Sequence, residues 1–287
     1  MLKGLSTAGI GKVSGLKEHI HLASINGFHA VETTIHELRE FVETQGLRQA
    51  QEYLKEKNVI IGALQLPVEW RMDDARFKEG LKELVETAEL ASKFDCKTFF
   101  TYFMPSTDRE IAPYLLELSK RIQLMGRLIR EYDMNLALEY VGPHHLRHKW
   151  KNVFIYDAKT TLQWLDLVGE SNVGIVLDSF HWYTSQESIE DILAIETSRI
   201  KYVHLNDARP IPVEDVLDND RVFPGEGAID LEGFLKALDE INYTGLVTQE
   251  ILTIEELEES CEELAKKSGE AFSNVFNKVF TSLVENN

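Results

Sequence analysis

The chain has 287 residues, 44% of them hydrophobic, and a formal net charge of -18 at pH 7. That length and apolar content allow one large domain or two small ones, and with no Pro-, Ser- or Gln-rich linker a single domain over residues 1–287 is expected. The negative charge repels a phosphate backbone and an anionic bilayer, so nucleic acid and membranes are set aside as partners in favour of a small molecule in a shielded pocket.

The two cysteines, Cys96 and Cys261, form neither a disulfide framework nor a CxxC pair, which fits a reducing cytoplasm. The opening "MLKGLSTAGIGKVSG" is too polar for a secretory h-region and no run of eighteen apolar residues occurs, so a soluble intracellular chain is expected.

Short β-rich runs alternate with amphipathic ones along the chain. In order they are "KGLSTA" (3–8), "HAVETT" (29–34), "VIIGALQL" (59–66), "KTFFTYF" (97–103), "MNLALEY" (134–140), "VGIVLDSF" (173–180), "IKYVHLN" (200–206) and "GLVTQEIL" (245–252). Helical periodicity between them is clearest over 74–94 and 109–132, where apolar residues recur at three and four positions. Asp157 and Asp230 stand where N-caps belong and Gly169 where a helix stops. Eight βα units in this length predict a (β/α)8 TIM barrel. The alternative is an open doubly wound sheet, but no phosphate-binding glycine loop follows the first strand. The acidic stretch "IEELEESCEELAKK" from 254 reads as a solvated helix face, and the long irregular stretch 209–230 as a functional loop.

In such a barrel the carboxyl ends of the strands build the active site. The fifth strand is expected to end in Glu139 of "LALEYV", the sixth in Asp178 of "GIVLDSFH", the seventh in His204 of "KYVHLND" and the eighth in Glu250 of "GLVTQEI". Each alone reads as a cap, a salt-bridge partner or a structural histidine. An unpaired charge after so apolar a strand costs several kcal/mol, however, and four in register need a common compensation. Three carboxylates and one imidazole suit one divalent cation: Mn2+, Mg2+, Co2+ or Zn2+.

His181, three residues past Asp178, is a candidate substrate-oxygen contact or else a surface loop histidine. Arg209 could hold a hydroxyl or phosphate, against a default role in a surface salt bridge. Asp207 could orient His204 or its neighbours. Trp70 and Trp182 offer platforms for a sugar ring, or simply core wall. His144, His145 and His148 in "PHHLRHKW" read as exposed or as part of a lid.

The segments "LALEYV", "LDSFHWY", "YVHLNDAR", "PGEGAIDLEGFLKALDEINYTG" and "VTQEI", in that order over most of the chain, resemble the xylose isomerase-like barrel superfamily, in its sugar isomerase and epimerase branch. The branch includes ketose 3-epimerases, hydroxypyruvate isomerase and the inosose isomerases and dehydratases. The resemblance implies metal ligation by Glu139, Asp178, His204 and Glu250, a substrate contact at His181, and an arginine near Arg209. It also implies a ketose, inosose or related polyol ketone that chelates the metal and is converted through an ene-diolate, with Glu139 and Glu250 as the catalytic base and acid on opposite sides of it. Members of the branch pair as homodimers or homotetramers.

An inosose-type dehydratase would use the same four ligands and is the rival reading among enzymes. The superfamily's endonuclease IV needs further histidines that are absent from the ends of the third and fourth runs and from "VLDNDRVF". A non-catalytic sugar-binding barrel is the reading from another class, and two opposed glutamates weigh against it.

Overall fold

The computed structural model describes residues 1–255 and 257–280. Eight strands form the barrel: β1 (Leu2–Leu5), β2 (Ala30–Thr33), β3 (Ile60–Gln65), β4 (Thr98–Phe103), β5 (Asn135–Tyr140), β6 (Val173–Asp178), β7 (Ile200–Leu205) and β8 (Leu246–Gln249). They close in the order β1-β8-β7-β6-β5-β4-β3-β2, each parallel to its neighbours. Seven of the eight expected runs contain their strands; β1 begins one residue before its run, at Leu2, and ends at Leu5.

The strands are apolar because both faces are covered. Ala63, Ala137, Val176 and Tyr202, with Phe100 and Leu246 against them, fill the barrel interior. A larger core lies between the strands and the surrounding helices. Helix Asp74–Ser92 supplies Phe77, Leu84, Ala88 and Ala91 from one face, and each large side chain so buried contributes about 1.5–3 kcal/mol. Helix ends follow the local sequence. Asp157 accepts from Thr160 N at 2.7 Å and Asp230 from Gly233 N at 2.9 Å, while Gly169 takes the left-handed conformation at φ 74°.

The acidic stretch from 254 departs from its expected form. The helix begins only at Cys261, where Ser260 and Glu263 exchange backbone and side-chain hydrogen bonds in a capping box. The preceding residues are irregular, and Glu256 lies outside the described residues, as do 281–287. No helix among the described residues is long and apolar enough to cross a membrane.

Two excursions shape the barrel mouth. Ser106–Thr107 pairs antiparallel with Asn152–Val153, and Asp207–Ala208 with Arg221–Val222. The second folds the loop after β7 back on itself. Asp207 anchors it by accepting from the backbone N–H groups of Ala208, Gly225, Gly227 and Ile229 at 2.9–3.0 Å. Only glycine fits at 227, where a Cβ would come within 2.2 Å of Ala208 O and 2.4 Å of Asp207 Oδ1.

Candidate metal centre

Register decides which side chains meet at the mouth. Glu139 is opposite Val176 and Asp178 opposite His204, so β5, β6 and β7 present polar termini on the interior side of the barrel. Glu250 follows Gln249, the last residue of β8. One donor atom from each of Glu139, Asp178, His204 and Glu250 lies within 4.8 Å of the others. From His204 Nδ1 the distances are 2.8 Å to Glu139 Oε1, 3.6 Å to Glu250 Oε2 and 3.8 Å to Asp178 Oδ2.

His204 is fully buried, which by itself disfavours its charged form. The facing carboxylates of Glu250, Glu139 and Glu32 overcome that and raise its pKa well above the usual histidine value. Its Nε2 is 2.9 Å from Glu32 Oε2, and the Tyr202 hydroxyl is 3.0 Å from the same oxygen. A carboxylate behind the imidazole fixes the ring plane and leaves Nδ1 turned to the centre, the arrangement typical of a ligating histidine. The sequence offered Asp207 for this task, and the structure corrects it: Asp207 is committed to the loop backbone and Glu32 takes the place. Glu32 is the next-to-last residue of an otherwise ordinary strand, β2, and its partner comes from across the barrel.

Arg221 supplies the second positive charge. Its Nη1 donates to Asp178 Oδ2 at 2.9 Å and to Glu250 Oε2 at 2.8 Å, and the guanidinium lies 4.7 Å from the centre of the Phe180 ring. Burial alone would raise the Asp178 pKa, but the Arg221 charge, with His181 and His204, holds it down to about 2. For Glu139 burial outweighs the attraction of the facing His204 and pushes its pKa up to about 8. Burial likewise raises Glu250.

Arg209, the arginine singled out in the sequence, is half exposed and pairs with Asp220 at 2.8 Å. The antiparallel pairing of Ala208 with Arg221 explains the exchange: the returning strand carries Arg221 to the site, and Arg209 stays on the outer edge of the loop. Position 221 could have been found only by recognising that the 209–230 loop turns back over the mouth.

His181 lies on the short helix Ser179–Thr184 and is 2% exposed, which removes the surface reading. Gly142 N donates to its Nδ1 at 3.3 Å, which places the proton of the neutral ring on Nε2, 3.5 Å from Arg221 Nη2. Burial lowers its pKa and favours that neutral form.

The two tryptophans do not line the centre. Trp70 is fully buried with Nε1 on Thr101 Oγ1, and Trp182 packs on Phe234 in the helical layer with Nε1 on Ser188 O. Both are core wall. His144 is on the helix His144–Arg147, His145 and His148 are exposed, and none joins the four-residue group.

Four carboxylates, Glu32, Glu139, Asp178 and Glu250, thus converge on one guanidinium and one imidazole. That excess of negative charge in a buried, oxygen-rich setting with one ring nitrogen fits a divalent cation, held by Glu139, Asp178, His204 and Glu250.

Residues 20–268 match the family model described as Xylose isomerase-like TIM barrel. Among curated proteins the chain is 28% identical over 275 residues to an inosose isomerase of Bacillus velezensis, covering 93% of this chain and 94% of that protein. Among solved structures it is similar to a xylose isomerase domain protein from Alicyclobacillus acidocaldarius, with 28% identity, a TM-score of 0.90 and coverage of 97% and 99%. It is also similar to the IOLI protein with a bound zinc atom, with 25% identity, a TM-score of 0.82 and coverage of 98% and 99%.

Proposed function

Because the chain belongs to the xylose isomerase-like TIM barrel family, we propose that it is a divalent-metal-dependent isomerase or epimerase of an inosose, ketose or related polyol ketone. The observation that carries this reading is the placement of two glutamates at opposite ends of one four-strand arc. Glu139 is the next-to-last residue of β5, Glu250 follows β8, and the strands between bring Asp178 and His204.

A cation in this centre supplies Lewis-acid polarisation of a carbonyl, which acidifies the neighbouring carbon. The side chains do the rest. A substrate carbon between Glu139 and Glu250 exposes one face to each, so one carboxylate removes the proton beside the carbonyl and the other returns a proton. Return to the opposite face of the same carbon epimerises; return to the former carbonyl carbon isomerises, with the neighbouring hydroxyl proton passing to the former carbonyl oxygen as the new carbonyl forms. His181 donates from Nε2 to a substrate oxygen, and the Arg221 guanidinium stabilises negative charge developing on the ene-diolate oxygens. Packing beneath the centre by Phe100, whose ring is 5.6 Å from that of His204, excludes water from below.

The test is metal analysis of the purified protein, then incubation of an inosose and a panel of ketoses in D2O with and without Mn2+. Metal-dependent deuterium at the carbon beside the carbonyl is the expected result, with an isomeric or epimeric product by NMR. Loss of water from the inosose would move the assignment to a dehydratase, and a metal-loaded protein that exchanges no proton would overturn the proton-transfer mechanism.

A further inference from the structure

The barrel mouth carries an aromatic side chain that the metal centre does not use. Tyr102 on β4 is opposite Glu139 of β5, and residues in register on neighbouring parallel strands face the same side of the sheet. Two residues below it, Phe100 is opposite Ala137 and packs in the barrel interior. Tyr102 therefore stands on the interior row, about 7 Å further toward the mouth than Phe100. It is nevertheless 42% exposed, so its ring borders open space at the level of the mouth.

The ring is held in place. The Arg71 guanidinium stacks on it at 4.3 Å from the ring centre, and Arg71 Nη1 donates to the Tyr102 carbonyl at 3.1 Å. Glu69 in turn grips Arg71 through two parallel bonds, Nε to Oε1 and Nη2 to Oε2, each 3.0 Å. With Glu69 neutralising its charge and filling its fork, Arg71 serves as a backing plate and leaves no free fork for a phosphate.

We propose that Tyr102, backed by Arg71 and Glu69, is a specificity-determining residue that packs flat against the C–H face of a six-membered cyclic polyol ketone whose carbonyl end is at the metal centre. This rests on the function proposed above and narrows its substrate class. A cyclohexane ring presents axial C–H groups on a broad apolar face, which suits a fixed aromatic plane, whereas a short open chain has no such face. Because the ring is already immobilised, little side-chain entropy is lost on binding.

The experiment is calorimetric titration of the Mn2+-loaded protein with an inosose and with erythrulose, a ketose too short to close into a ring. Wild type is expected to favour the inosose. Tyr102→Ala should weaken inosose binding about tenfold and leave erythrulose binding and metal content unchanged, Tyr102→Phe should retain the preference, and Arg71→Ala should lose part of it. Unchanged inosose affinity in Tyr102→Ala, equal loss for both ligands, or no inosose binding by wild type would overturn the proposal. If the inosose binds with this Tyr102 dependence but exchanges no proton in D2O, the ring platform stands and the isomerase reading falls.

Discussion

Glu32 Oε2 lies 2.9 Å from His204 Nε2, although β1 and β8 separate their strands in the closed sheet. The contact crosses the barrel interior and makes Glu32 the support of a metal-ligating histidine. Glu32→Gln keeps the shape but replaces the carboxylate with a neutral amide, a weaker acceptor for the Nε2 proton that carries no charge opposite the imidazole. Zinc or manganese affinity, measured by titration calorimetry, is expected to fall about 10–100-fold, with the circular dichroism spectrum unchanged. Wild-type affinity in the variant would reduce Glu32 to a packing residue.

Asp178→Ala removes a ligand and one of the three carboxylates, with Glu250 and Asp218, that hold Arg221. The purified variant is expected to carry far less metal than wild type by elemental analysis and to lose the thermal stabilisation that added metal gives to wild type. Full metal content would refute the four-residue centre.

Glu250→Gln preserves side-chain volume and can still accept from Arg221, so the fold should persist. Proton exchange into substrate should fall about 10²–10⁴-fold, the usual contribution of a positioned acid or base. Exchange at the wild-type rate would exclude Glu250 from proton transfer.

Arg221→Met leaves Asp178 and Glu250 without their guanidinium in a buried setting. Breaking a buried charge pair from one side costs about 3–5 kcal/mol, so the metal-free variant should melt well below metal-free wild type. Saturating Mn2+ should narrow that gap, because the cation takes over the charge compensation. An equal gap with and without metal would show that Arg221 acts through packing alone.

Glu187 provides a pH test away from the metal centre. Its carboxylate accepts from the Tyr140 hydroxyl at 2.7 Å and from Ala158 N at 3.0 Å. Burial, with the nearby Asp157 and Asp191, nonetheless pushes its pKa up to about 7. A folded-state pKa above the unfolded value of about 4.3 means that the fold favours the protonated acid. This contribution is complete below about pH 4.3 and is lost as pH rises through about 7. In urea unfolding at pH 5 and pH 8, wild type should lose stability relative to Glu187→Gln at the higher pH. A difference between the two proteins that stays constant with pH would place the Glu187 pKa near its ordinary value.

The eight strands and their alternating helices were legible because each is a local pattern. An apolar run bounded by polar residues and a three-four repeat need no knowledge of the partner. Glu139, Asp178, His204 and Glu250 were legible for a related reason: each is the polar residue that closes an apolar run, and a barrel sends all such ends to one mouth. Arg209 was named for its place just after His204 and for the resemblance, and Arg221 was not considered; a loop that doubles back separates nearness in sequence from nearness in space. Trp70 and Trp182 were offered as platforms on residue type alone, whereas strand register puts Tyr102 on the interior row.

By itself the sequence determined the barrel and its four polar strand ends, because hydrophobic periodicity and strand termini are properties of neighbouring residues. Only the tertiary structure decided that Glu32 supports His204, that Arg221 bridges Asp178 and Glu250, and that Asp207 serves the loop backbone. Those pairings depend on closing the sheet and folding the 209–230 loop over it, which bring together side chains whose local sequences carry no mark of one another.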